Sequence, residues 1–108
     1  MFVNLTPHVI NVVVSDGETR SIAPSGAIAR CAQKSVAVGL RDGIPQFRTS
    51  FGAVEGLPPE DSSGETMYVV SALVRSACPE RIDVASPGDL VRDLSGSVIG
   101  CRGLIVNG

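Results

Sequence analysis

Only one stretch of this sequence keeps apolar residues at helical spacing, Ala72-Leu73-Val74-Arg75-Ser76-Ala77, and Pro79 closes it almost at once. Elsewhere the apolar residues come in short, β-branched runs cut by turn residues, with 12 Gly and 7 Pro in 108 residues. A chain of this kind has to build its core from strands. The expected fold is α+β, mostly β: a compact small barrel or sandwich of short antiparallel strands with one short helix. The length suits a single domain over residues 1–108.

Residues 9–14 have the profile of a buried strand, with only Asn11 polar. Ser15-Asp16-Gly17 carries a hairpin-turn signal, and residues 18–23 return as the partner strand. Pro24-Ser25-Gly26 is a second turn. Residues 27–34 then alternate so that Arg30 and Cys31 point to opposite faces. Residues 36–40 read as another short strand, followed by a hairpin signal at Asp42-Gly43. Residues 44–51 place Pro45, Phe47, Thr49 and Phe51 on one face, with Gln46, Arg48 and Ser50 on the other; residues 53–55 continue briefly. Residues 56–64 are an acidic, polar loop.

The stretch 66–93 looks like the organising centre. Met67-Tyr68-Val69-Val70 is a strand, Ser71 caps the helix, and a polar cluster follows from Glu80 to Asp93. The last hairpin runs over residues 90–92 and 97–106, joined at Asp93-Leu94-Ser95-Gly96. Gly100 and Gly103 flank Cys101-Arg102, which signals a bulge or a close backbone approach.

A net charge of −2 argues against a nucleic-acid polymer as partner, since bulk phosphate binding needs a basic surface. Eight of the nine basic residues are arginine. Arginine's planar fork suits phosphate and carboxylate, although a GC-rich genome would also favour its codons. Cys31, Cys78 and Cys101 form no CxxC pair, and the single histidine cannot make a two-histidine metal site, so neither metal nor cofactor is expected. The N-terminus has no basic leader and its apolar runs are broken, which argues against a signal peptide or membrane span; a cytoplasmic protein with reduced thiols is expected. GxxxxGK[ST], GxGxxG and GxSxG are all missing.

Two constellations carry potential chemistry. In Asn4-Leu5-Thr6-Pro7-His8, His8 is the only side chain whose ordinary pKa lies near neutral pH; alternatively the residues shape the entry to a strand. In Arg81-Ile82-Asp83, the two charged residues share one face of an extended segment. They suit either an internal ion pair or a ligand, with Arg81 on phosphate and Asp83 on a ribose or base donor. Arg30 and Arg92 are further phosphate candidates. Ser71 and the helix start offer N–H donors, and Tyr68 is either core or a stacking group.

The segments NLTPHVI at 4–10, PSG at 24–26, GLP at 56–58, YVVSALV at 68–74, R-x-D-V at 81–84, PGDLVRD at 87–93 and GSVIGCRGL at 96–104 occur in one order along the chain. Together they resemble a group of small uncharacterised proteins from actinobacteria and from phages or prophages. The resemblance implies a phage or prophage setting, hence the host cytoplasm, and transfers no catalytic residues. By analogy with small acidic phage proteins, it suggests a protein that binds a small anionic, nucleotide-like ligand and sequesters a nucleotide immune signal. Such a protein would be a homo-oligomer holding the ligand near a subunit interface. A protein-interaction or minor structural phage module is the first alternative. A metal-independent nucleotide hydrolase using His8 is the second.

Overall fold

The structure is a computed structural model that describes residues 1–15 and 17–108. Among the described residues the elements run β1 (Phe2–Asn4), β2 (Ile10–Val13), β3 (Thr19–Ile22), β4 (Arg30–Arg41), β5 (Ile44–Glu55), β6 (Met67–Val69), α1 (Ala72–Ala77), β7 (Val84–Arg92) and β8 (Val98–Val106). Six strands form one sheet in the order β1-β6-β7-β8-β2-β3, while β4 and β5 pair with each other. The large sheet curls until its two edge strands meet. Asn4, at the end of β1, bridges Pro24 just beyond β3, which leaves a nearly closed barrel. The fold is therefore mostly β with one short helix, as the residue pattern implies.

The sheet is mixed. β2–β3 and β7–β8 are antiparallel, whereas β1–β6, β6–β7 and β2–β8 run parallel. Parallel neighbours need crossover connections rather than tight turns. Local turn signals report hairpins and are silent about pairs such as Phe2 with Met67.

Leu5, Ala29, Val70, Val74, Cys78 and Val84 form the buried core, with Val3, Val54, Leu57 and Tyr68 packed against it. Tyr68 is thus a half-buried core neighbour. The helix covers this core through Val74, and Ser71 is its N-cap, its Oγ accepting from the Val74 N–H at 3.2 Å. The hairpin signal at 15–17 falls partly on Asp16, outside the described residues; the flanking strands do pair, and the Val14 N–H donates to Glu18 O at 2.9 Å.

Two regions are more continuous than their sequence suggests. Most of the polar cluster at 80–93 is strand β7, because Ala85, Ser86, Pro87 and Gly88 pair with β8, as do Leu90, Val91 and Arg92. Pro87 is tolerated there because β6 pairs with β7 only at Val84 and Ala85, leaving one side of β7 open beyond them. Likewise, where the pattern reads as four short strands at 27–34, 36–40, 44–51 and 53–55, the chain forms two strands of 12 residues each, Arg30–Arg41 and Ile44–Glu55. Bulges between Cys31 and Gln33 and between Ala37 and Gly39 interrupt the alternation without ending the ladder. Asp42 (φ 50°) and Gly43 (φ 78°) both take the left-handed conformation that a two-residue hairpin turn requires.

The β4–β5 ribbon stands clear of the barrel: every residue from 32 to 49 is exposed. The radius of gyration is accordingly 16.3 Å, against about 13 Å for a compact chain of this length.

Gly100 shows the close approach that its place in β8 signals. A Cβ there would lie 2.8 Å from the carbonyl oxygen of Asn11, where β2 runs beside β8. Gly100→Ala is expected to lower unfolding free energy in urea by about 1–3 kcal/mol. Gly103→Ala, with nothing within 4 Å of the added carbon, should stay within about 0.5 kcal/mol of wild type.

Candidate functional site

Asn4 is 1% exposed, and its side chain makes its full complement of hydrogen bonds. Nδ2 donates to His8 O at 2.8 Å and Ile22 O at 2.9 Å, while Oδ1 accepts from Thr6 N at 2.9 Å and Thr6 Oγ1 at 2.7 Å. Its backbone carbonyl accepts from both Ser25 N and Ser25 Oγ. Asn4, Thr6 and His8 are therefore brought together, but through the backbone of His8. The His8 side chain is exposed and lines a shallow groove of about 360 Å³ with Val9, Ile10, Leu90, Val98 and Ile99.

Arg81 and Asp83 form the second node. Arg81 Nε and a terminal nitrogen grip the two Asp83 oxygens at 2.7 and 2.9 Å, and that terminal nitrogen also donates to Pro58 O at 2.9 Å. The Asp61 N–H adds a further bond to Asp83 Oδ2 at 3.0 Å. Asp83 is 3% exposed, and its carboxyl is held below the usual carboxylate range, first by the Arg81 guanidinium and against the opposing effect of burial. The guanidinium is stabilised in turn. This pair ties the loop after β5 to the start of β7. The ion-pair alternation of Arg81 and Asp83 on one face was legible from their spacing; its third partner, Pro58, lies too far along the chain to be.

The remaining candidates are dispersed. Arg92 donates to Gly96 O at 2.9 Å within the β7–β8 turn. Arg30 is exposed at the root of β4, opposite Glu55. Ser71 is occupied in capping a helix of 6 residues. The groove beside His8 is lined by none of Arg30, Arg81 or Arg92. Among the described residues, no cluster of histidine, cysteine, aspartate or glutamate is arranged to hold a metal ion, and all three cysteines are free. Burial pushes the Cys78 thiol upward, away from thiolate reactivity. No helix among the described residues is long and apolar enough to cross a membrane.

Two features depend on contacts that no single residue signals. Asn107 donates to Cys78 O at 3.0 Å and Arg81 O at 3.1 Å, fastening the C-terminus to the end of the helix, with no local signal to mark it. The other is the ribbon. Its register puts Leu40 opposite Pro45, Ala37 opposite Phe47 and Gln33 opposite Phe51 on one face, and Val36 opposite Arg48, Lys34 opposite Ser50 and Arg41 opposite Ile44 on the other. Leu40, Phe47 and Phe51 are 73%, 63% and 41% exposed. The alternation of Phe47 and Phe51 was visible in sequence; that no core covers it was not. No family model, curated protein or solved structure matches this chain.

Removing Arg81 strands a buried carboxylate and an unpaired carbonyl. Arg81→Ala is expected to cost about 3 kcal/mol in urea unfolding, whereas His8→Ala should change it by less than about 0.5 kcal/mol. Because the folded Asp83 pKa lies below its unfolded value of about 3.9, its contribution is complete above that pH and is lost as pH falls from there through the lower folded pKa. Melting temperature should therefore drop below about pH 4, and the drop should be shallower in Asp83→Asn, which starts from a lower stability at pH 7.

Proposed function

We propose that this protein is a protein-interaction module, a small barrel that holds out the β4–β5 ribbon as its contact element. The observation that carries this is the ribbon itself, exposed from residue 32 to 49 with Leu40, Phe47 and Phe51 on one uncovered face. A two-stranded ribbon has little stability of its own, and long free strand edges with apolar faces are surfaces that unpartnered proteins avoid. In the phage or prophage setting that the resemblance implies, such a module is a minor virion component or an inhibitor of a host protein.

Sequestration of a nucleotide-like anion draws support from the same resemblance and from the arginine content. The geometry adds little to it. Arg81 is engaged by Asp83 and Pro58, Arg92 by Gly96, and Ser71 by the helix it caps.

Cross-linking in an extract of the producing cell, with adducts mapped by mass spectrometry, tests the proposal beside a nucleotide panel that includes cyclic dinucleotides. Protein adducts should map to residues 32–49 and disappear in a Leu40→Ser/Phe47→Ser variant, while every nucleotide stays free. A nucleotide that is withdrawn from solution and returns intact on heat denaturation would replace this reading with sequestration. One that returns as fragments would replace it with hydrolysis.

A further inference from the structure

We propose that the partner of the ribbon is a second copy of this chain, and that its apolar face lies in the groove beside His8 of the neighbouring copy. The inference rests on the ribbon being a contact element and names what it contacts. Both halves of the joint are on the same molecule. The ribbon offers Leu40, Phe47 and Phe51, and the groove offers Val9, Val98 and Ile99, which are 48%, 50% and 52% exposed, beside Leu90 at 48%. Each is a small apolar strip that folding leaves in water.

The exposed area fits this arrangement. The chain exposes 7150 Å², whereas a compact monomer of 11.2 kDa is expected to expose about 5,700 Å². The excess is about 1,450 Å², close to the roughly 1,600 Å² that a standard interface buries in total, about 800 Å² per surface. In a head-to-tail array each copy gives two such surfaces, its ribbon to one neighbour and its groove to another. The excess therefore matches what one copy would bury.

Charge selects ribbon-to-body contact over ribbon-to-ribbon contact. Residues 32–49 carry Lys34, Arg41 and Arg48 against Asp42, a net charge of +2. The rest of the chain carries six basic and ten acidic residues, a net charge of −4. Two ribbons side by side would oppose like charges, whereas a ribbon approaching another copy's barrel meets the opposite sign. Because ribbon and groove are different surfaces, the contact either closes reciprocally in a two-fold dimer or propagates head to tail into a ring or an open filament.

Light scattering coupled to size-exclusion chromatography tests this with two variants altered only at exposed positions, Leu40→Asp/Phe47→Asp on the ribbon and Val98→Asp/Ile99→Asp in the groove, each checked for folding by circular dichroism. At about 100 µM, where a Kd of about 1 µM is saturated, wild type should show at least twice the 11.2 kDa mass of one chain. Each folded variant alone should fall to the single-chain mass. Mixed together, they should form a one-to-one pair, because one retains the groove and the other the ribbon. Wild type at the single-chain mass would overturn self-docking while leaving the cross-linking test of the ribbon independent. Continued assembly of either folded variant alone, or variants that do not pair when mixed, would overturn the ribbon-to-groove joint.

Discussion

The hydrogen bonding of one buried side chain, Asn4, decides how the rest of this molecule is arranged. The six-stranded sheet closes where β1 meets the chain beyond β3, and a single bridge at Pro24 joins the two edges there. Asn4 completes the seam from both sides, with its carbonyl on Ser25 and its amide on Ile22 O and His8 O. Buried amides are costly unless fully satisfied, and this one is. The next residue extends the effect: Leu5 O accepts from the Ala29 N–H at 3.0 Å, so the root of the ribbon is anchored to the same seam.

That anchoring gives the molecule two mechanically different parts. The barrel has an interior of small residues, Val69, Val70, Val74, Val84, Ala85 and Cys101, locked at its helix end by Arg81–Asp83 and Asn107. The ribbon has no interior and relies on its ladder and on the anchored root. A surface held out in this way stands clear of the barrel's packing. The groove lies along β2, β7 and β8, with His8 at its margin placed by the Asn4 turn. One seam thus positions both the ribbon and the surface proposed to receive it.

Much of the fold was legible because its signals are local. Asp42-Gly43 specifies a two-residue turn, Ser71 before an apolar helical stretch specifies a cap, and the alternation of Pro45, Phe47 and Phe51 specifies a common face. The parallel pairings escaped because they join segments far apart in sequence. The length of β4 and β5 escaped because bulges disguise a continuous ladder as two short strands. The candidate site was legible in parts: Asn4, Thr6 and His8 do meet, and Arg81 and Asp83 do pair. Residue types alone do not tell whether an arginine is engaged within the fold, which depends on partners such as Pro58 and Asp61 that only the fold brings near.

The most direct measurement of the central claim is amide hydrogen exchange at two protein concentrations about a hundredfold apart, spanning a Kd of about 1 µM. Amides of residues 32–49 and of the groove strand at 98–101 should slow together at the higher concentration. Those of Val69, Val70, Val84 and Ala85 in the barrel interior should be unchanged. Equal exchange in the ribbon at both concentrations would contradict the claim that this chain is the partner of its own ribbon.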